Sequence, residues 1–118
     1  MKIVIPVDRD KSSVCVAFGR TPLFAVKDTE KGSVTYLDNP AAEAQGGAGI
    51  KAAQFVLDIG ANAIVTVRLG ENSAQVLKAA GVIIYKSEGV GADFNFTMCE
   101  EGKLTELTAF HAGYHGRQ

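Results

Sequence analysis

Apolar and polar positions follow two rhythms along this chain, and each change of rhythm marks an element. Ile3 to Val7 is a nearly continuous β-branched run ended by Asp8, the pattern of a strand buried on both faces. Arg9 to Ser13 is polar. Phe18-Gly19-Arg20-Thr21-Pro22 then leads into a second strand, Leu23 to Val26, whose start is punctuated by glycine and proline. Ser33 to Leu37 alternates Val34 and Tyr36 with Ser33, Thr35 and Leu37, so strands two and three are predicted to form an antiparallel hairpin around a short loop over 28–32.

From Asn39-Pro40 onward the period lengthens. Ala41 to Gly47 is a small-residue loop ending in Gly46-Gly47-Ala48-Gly49, after which Ile50 begins a helix. Its stripe of Ile50, Ala53, Phe55, Val56 and Leu57 stops at Gly60, a C′ glycine. Ile64 to Val67 is strand four. Asn72 or Ser73 is predicted to cap a second helix, which carries Val76, Leu77 and Ala80 before Gly81. Val82 to Tyr85 is strand five, and Gly89-Val90-Gly91 leads to a third helix over 92–101, stopped by Gly102. The pattern predicts one α/β domain over 1–110 and a loose polar tail over 111–118.

If the elements share one sheet, strands one, three, four and five point the same way, because helical crossovers return the chain to its starting edge. The loops after those strands then emerge along a single carboxyl edge, where open α/β sheets bind ligands. Three predicted helix starts face that edge, each with unpaired N–H groups and the positive end of a dipole. Arg20, Arg68 and Lys86 stand on or near it, and Asn72 and the backbone of Gly46, Gly47 and Gly49 leave room for a bulky guest. An anion is the expected ligand, although Asp8, Glu43, Glu71 and Glu88 keep the edge from being purely basic.

Composition narrows the classes. Apolar residues are 47% and charged residues 21% of 118, ordinary for a globular protein. A net charge of −1 gives no long-range field for a polyanion, so no nucleic-acid partner is expected. No stretch has the length of a membrane span, and the start lacks the features of a secretory signal, so a cytoplasmic protein without membrane contact is expected. Cys15 and Cys99 form no C-x-x-C pair, so a four-thiolate cluster site cannot come from this chain alone. His111 and His115 have metal-chelating spacing only in a helix, which Gly113 and Gly116 disfavour.

Four ordered motifs carry a resemblance: residues 2–7, Lys-Ile-Val-Ile-Pro-Val; 18–24, Phe-Gly-Arg-Thr-Pro-Leu-Phe; 39–50, from Asn39 to Ile50; and Gly102-Lys103-Leu104. Together they resemble the dinitrogenase iron–molybdenum cofactor-binding family, of which this would be a short stand-alone member. The resemblance implies a ribonuclease H-like mixed five-stranded sheet: strands one to three an antiparallel meander, strands four and five parallel through helical crossovers, with about three helices. It also implies a carrier or chaperone for an anionic iron–sulfur or iron–molybdenum-type cluster, exchanging it with donor and acceptor proteins, and no enzymatic turnover. Many relatives carry a histidine or arginine immediately before Phe-Gly-Arg, where this chain has Ala17. Cys15 is a candidate replacement, since thiolates ligate soft metals. The expected cluster site is therefore Cys15, Arg20, Gly46, Gly47, Gly49, Arg68 and Asn72, with Cys15, His111 and His115 as candidate metal ligands.

Rival functions fare worse. A two-metal nuclease needs several carboxylates, and of the expected positions only Asp8 has one. Gly47-Ala48-Gly49-Ile50-Lys51-Ala52 fits a loose G-x-G-x-x-A pattern but opens no tight strand-to-helix turn, so no nucleotide is expected. The remaining alternative is an interaction or regulatory module that has kept the fold and lost the cluster, which the apolar run Val14 to Ala17 favours.

Overall fold

A computed structural model describes residues 1–112. β1 (Lys2–Val7), β2 (Leu23–Asp28), β3 (Ser33–Asp38), β4 (Ala63–Thr66) and β5 (Ile83–Lys86) form one sheet. Its order is β3-β2-β1-β4-β5. β1 pairs antiparallel with β2 and parallel with β4, so it is the central strand, with Val7 opposite Leu23 and Ile3 opposite Ala63. A strand covered on both sides needs apolar residues at both parities. Ile3, Ile5 and Val7 enter one core, and Val4 enters the other.

α1 (Ala48–Asp58) and α2 (Glu71–Ala79) pack on the Val4 side, with Ala52, Ala53 and Val56 of α1 and Ala74 and Leu77 of α2 in that core. α3 (Ala92–Glu100) packs on the opposite face through Ala92, Phe96 and Cys99. All three helices start at the carboxyl ends of the strands, as expected, but α3 lies on the opposite face of the sheet, so only the starts of α1 and α2 open on the same side. The first amide of α3 donates to the Ser12 carbonyl at 2.8 Å.

Helix ends match the glycine pattern. Gly60, Gly81 and Gly102 follow α1, α2 and α3 with φ of 85°, 83° and 71°, a region costly for residues with a Cβ. Helix starts differ from it. α1 opens two residues before Ile50, with Gly47 as N-cap at φ 67°. Asn72 and Ser73 lie inside the first turn of α2, whose N-cap is Gly70, so neither side chain caps it. The Glu71 amide is instead taken by the His111 carbonyl at 2.9 Å.

The expected loose tail differs at its first residue. His111 forms a parallel bridge with Gly70, and its own amide donates to the Leu69 carbonyl at 3.2 Å. His115 lies outside the described residues. Just before, residues 105–107 pair with β5 through Lys86 N–H to the Thr105 carbonyl and Leu107 N–H to the Ile84 carbonyl, both 2.9 Å, which covers that edge. Among the described residues no helix is long and apolar enough to cross a membrane.

Candidate functional site

The carboxyl ends of β1, β3 and β4 release three loops toward the starts of α1 and α2, and buried polar side chains fasten these loops to one another. The Asn39 amide nitrogen donates to the Gly19 and Thr21 carbonyls, both at 2.9 Å, while its oxygen accepts from the Ala41 N–H at 2.9 Å. Thr21, fully buried, places its hydroxyl 2.9 Å from the Val7 carbonyl. Arg20 Nη1 donates to the Ala42 carbonyl at 3.1 Å, so one guanidinium ties the Phe18–Pro22 turn to the segment before α1.

Backbones then meet with no room for side chains. A Cβ on Gly19 would stand 2.8 Å from the Gly49 nitrogen, and a Cβ on Gly49 would stand 2.6 Å from the Ser73 hydroxyl. Gly19, Gly49 and Ser73 thus stack the β1 loop, the start of α1 and the start of α2 against each other. Between and above them opens a cleft of about 800 Å³.

The lining of this cleft defines its chemistry. It includes Arg20 and Arg68, the backbone of Gly46, Gly47, Ala48 and Gly49, then Gly70, Asn72, Ser73 and His111, and no aspartate or glutamate. Neither helix start carries a side-chain cap. First-turn amides and two guanidinium groups therefore converge without a carboxylate among them, a donor set suited to a large anion. Val16 and Ile50, 55% and 40% exposed, give the rim an apolar side.

Of the sequence-derived candidates, Arg20, Gly46, Gly47, Gly49, Arg68, Asn72 and His111 line this one cleft, and Cys15 does not. The bridge between Val7 and Val14 and the Cys15 N–H bond to the Pro6 carbonyl fold residues 13–15 back on β1. Burial pushes the Cys15 thiol up, against a smaller opposing effect of its hydrogen bond with Thr21. A thiol held protonated is a poor metal ligand. Lys86, on β5, is also absent from the lining. Among the described residues no three of histidine, cysteine, aspartate or glutamate come close enough to hold a metal ion.

Three contributors escaped the sequence reading: Ser73 as a spacer, Asn39 as the clamp beneath the loops, and Gly70, which makes room for the His111 ring. The signal for Asn39 was present, since an asparagine ending a strand before proline is well placed to bond neighbouring backbone. The other two depend on contacts distant in sequence.

The molecule is a three-layer α/β domain whose carboxyl edge carries an amide-lined cleft with no carboxylate in its lining. The chain belongs to the dinitrogenase iron-molybdenum cofactor family, whose model matches residues 1–94. An uncharacterised protein of Methanocaldococcus jannaschii is 30% identical over 110 residues, covering 91% of this chain and 92% of the relative. The apo form of the orange protein from Desulfovibrio gigas superposes with a TM-score of 0.83 at 27% identity, covering 92% of this chain and 93% of that one. A candidate NifB protein from Thermotoga gives a TM-score of 0.76 at 34% identity, covering 92% and 95%.

Proposed function

We propose that this protein binds an anionic metal–sulfur cluster of the iron–molybdenum type in the α1/α2 cleft and passes it between donor and acceptor proteins in the cytoplasm, with no turnover of its own. Family membership supports the cargo class. The observation that carries the reading is the donor set: Arg20, Arg68 and the first turns of α1 and α2, neither with a side-chain cap, line one cleft that has no carboxylate in its lining. Those donors hold a sulfide-rich anion by charge and hydrogen bonds to its surface, and no protein thiolate lines the cleft to hold the metal covalently. Such holding suits a carrier, since release needs no metal–thiolate bond to break. Exposed Val16 and Ile50 on the rim supply an apolar surface for a partner that delivers or removes the cluster.

The test is anaerobic incubation with a synthetic iron–molybdenum–sulfur cluster, followed by gel filtration, metal analysis and visible absorption. Stoichiometric metal should travel with the protein and with Cys15→Ser, and fall sharply in the double variant Arg20→Gln/Arg68→Gln. No metal on the native chain would leave the interaction-module reading in its place.

A further inference from the structure

His111 enters the cleft from outside the elements that build it. Its backbone is pinned on both sides of Gly70: its N–H donates to the Leu69 carbonyl at 3.2 Å, and its carbonyl accepts from the Glu71 N–H at 2.9 Å. Its ring lies over Gly70, where a Cβ would stand 3.2 Å from Cε1 and 3.7 Å from each ring nitrogen. The fold thus leaves out a side chain at residue 70 where the imidazole rests.

The ring is also oriented chemically. Nδ1 lies 3.1 Å from the Ala112 carbonyl, which can only accept. With the carbonyl as acceptor, this contact fits the neutral tautomer that carries its proton on Nδ1 and its lone pair on Nε2. An imidazole whose Nδ1–H is held by a backbone carbonyl is the form in which histidine binds metals through Nε2.

We propose that His111 Nε2 is a direct ligand to the cleft's cargo, and that the preferred cargo presents a first-row transition metal with an exchangeable position. This rests on the cluster-binding reading and deepens it. Imidazole nitrogen suits iron, copper, nickel and zinc. A molybdenum centre closed on every side by sulfide offers it no place. Binding is a ligand exchange without electron transfer: the Nε2–metal bond forms, a terminal thiolate–metal bond breaks, and the thiolate leaves to take a proton from solvent. The arginines and amides hold the sulfide surface, and His111 sets which corner of the cluster faces the α2 wall.

Two probes separate this proposal from the reading beneath it. Tetrathiomolybdate is an anionic metal–sulfur species with no exchangeable position, and a synthetic four-iron–four-sulfur cluster with ethanethiolate ligands has four. Both are titrated anaerobically into the native chain, His111→Ala, Gly70→Ala and His115→Ala. Tetrathiomolybdate affinity reports the anion cleft itself in each variant, and the iron–sulfur result is read relative to it. The iron–sulfur cluster should bind His111→Ala at least about tenfold more weakly, because even outer-shell partners of a metal site cost that much when removed. Gly70→Ala displaces the ring and should weaken the same probe, with His115→Ala unchanged. In the reduced cluster, pulsed electron paramagnetic resonance should show nitrogen coupling from a bound imidazole, lost in His111→Ala. Equal affinity of native chain and His111→Ala for the iron–sulfur probe, or nitrogen coupling that persists in His111→Ala, would overturn the ligand role while leaving the anion cleft standing. Failure of the native chain to bind either probe would overturn the cluster-binding reading itself.

Discussion

Gly46-Gly47-Ala48-Gly49 across the start of α1 and Gly89-Val90-Gly91 ahead of α3 are both glycine-rich segments at a helix start on the carboxyl side of the sheet. Around α3 the chain supplies its own partners. The Asn95 oxygen accepts from the Glu88 N–H at 2.8 Å, and its nitrogen donates to the Glu88 and Gly91 carbonyls at 2.8 and 2.7 Å. Val14 N–H donates to the Val90 carbonyl and Ala92 N–H to the Ser12 carbonyl, both at 2.8 Å. Around α1 the neighbouring loops are pulled together by Asn39 and Arg20 instead, and no side chain caps the first turn, which lines the cleft beside two arginines. A glycine turn before a helix becomes a binding site only where the protein leaves its donors unused.

The strongest way to break the comparison is Asn95→Ala, which empties a fully buried side-chain position and strips partners from the part-buried Glu88 N–H and carbonyl, while the Gly91 carbonyl keeps the residue 95 N–H. A loss of about 2–4 kcal/mol in denaturant-derived stability is expected, since each unsatisfied group costs roughly 1–3 kcal/mol and the opened loop readmits water. Cleft affinity should not move, because Asn95 lies on the other face. A large loss of affinity would show the two regions to be one unit.

Next in size is the glycine stack. Gly19→Ala forces a Cβ against backbone and should cost about 1–3 kcal/mol. Gly49→Ala meets a serine hydroxyl, so pairing it with Ser73→Ala should return much of its cost, a coupling of roughly 1 kcal/mol in a double-mutant cycle of thermal or denaturant unfolding. Additive effects would mean that Ser73 does not set the spacing.

These contacts mark where the sequence stops being legible. The central strand, the hairpin, the crossovers and the αL glycines after each helix could be read from Ile3 to Val7, from Lys31-Gly32 and from Gly60, Gly81 and Gly102, because local period and turn chemistry fix them. Most of the cleft residues could be read too, since direction of travel alone puts Arg20, Gly46 to Gly49 and Arg68 on one edge. Which face of the sheet α3 takes is not legible in the sequence, nor is where residues 13–15 fold back, and so Lys86, expected on or near the edge, and Cys15, expected in the site, both lie outside the cleft lining. His111 was given to a loose tail because its partners, Leu69 and Glu71, lie about forty residues away.

Smaller effects sharpen the electrostatic half of the comparison. Arg20→Gln and Arg68→Gln should each leave stability within about 0.5 kcal/mol and lower tetrathiomolybdate affinity by about tenfold, the size of one charge-assisted hydrogen bond. That affinity should fall as salt rises. Smallest is the thiol effect. Burial raises both Cys15 and Cys99 above the ordinary thiol value of 9.0, so each keeps its proton in the folded state where an unfolded chain would lose it. Their contribution to stability is complete below the unfolded pKa and is lost as pH rises toward the folded one. Alkylation of the native protein should accordingly need higher pH than alkylation of a free thiol, and an ordinary rate profile for Cys15 would return it to the list of candidate ligands.

Amide chemical shifts of the nitrogen-15-labelled protein, followed during anaerobic titration with tetrathiomolybdate, test the central claim residue by residue. The expected result is saturable one-to-one movement of the Gly47, Ala48, Gly49, Asn72 and Ser73 amides, with Ala92 and Asp93 at the start of α3 unmoved. Movement concentrated at α3, or spread without saturation over the surface, would contradict the account.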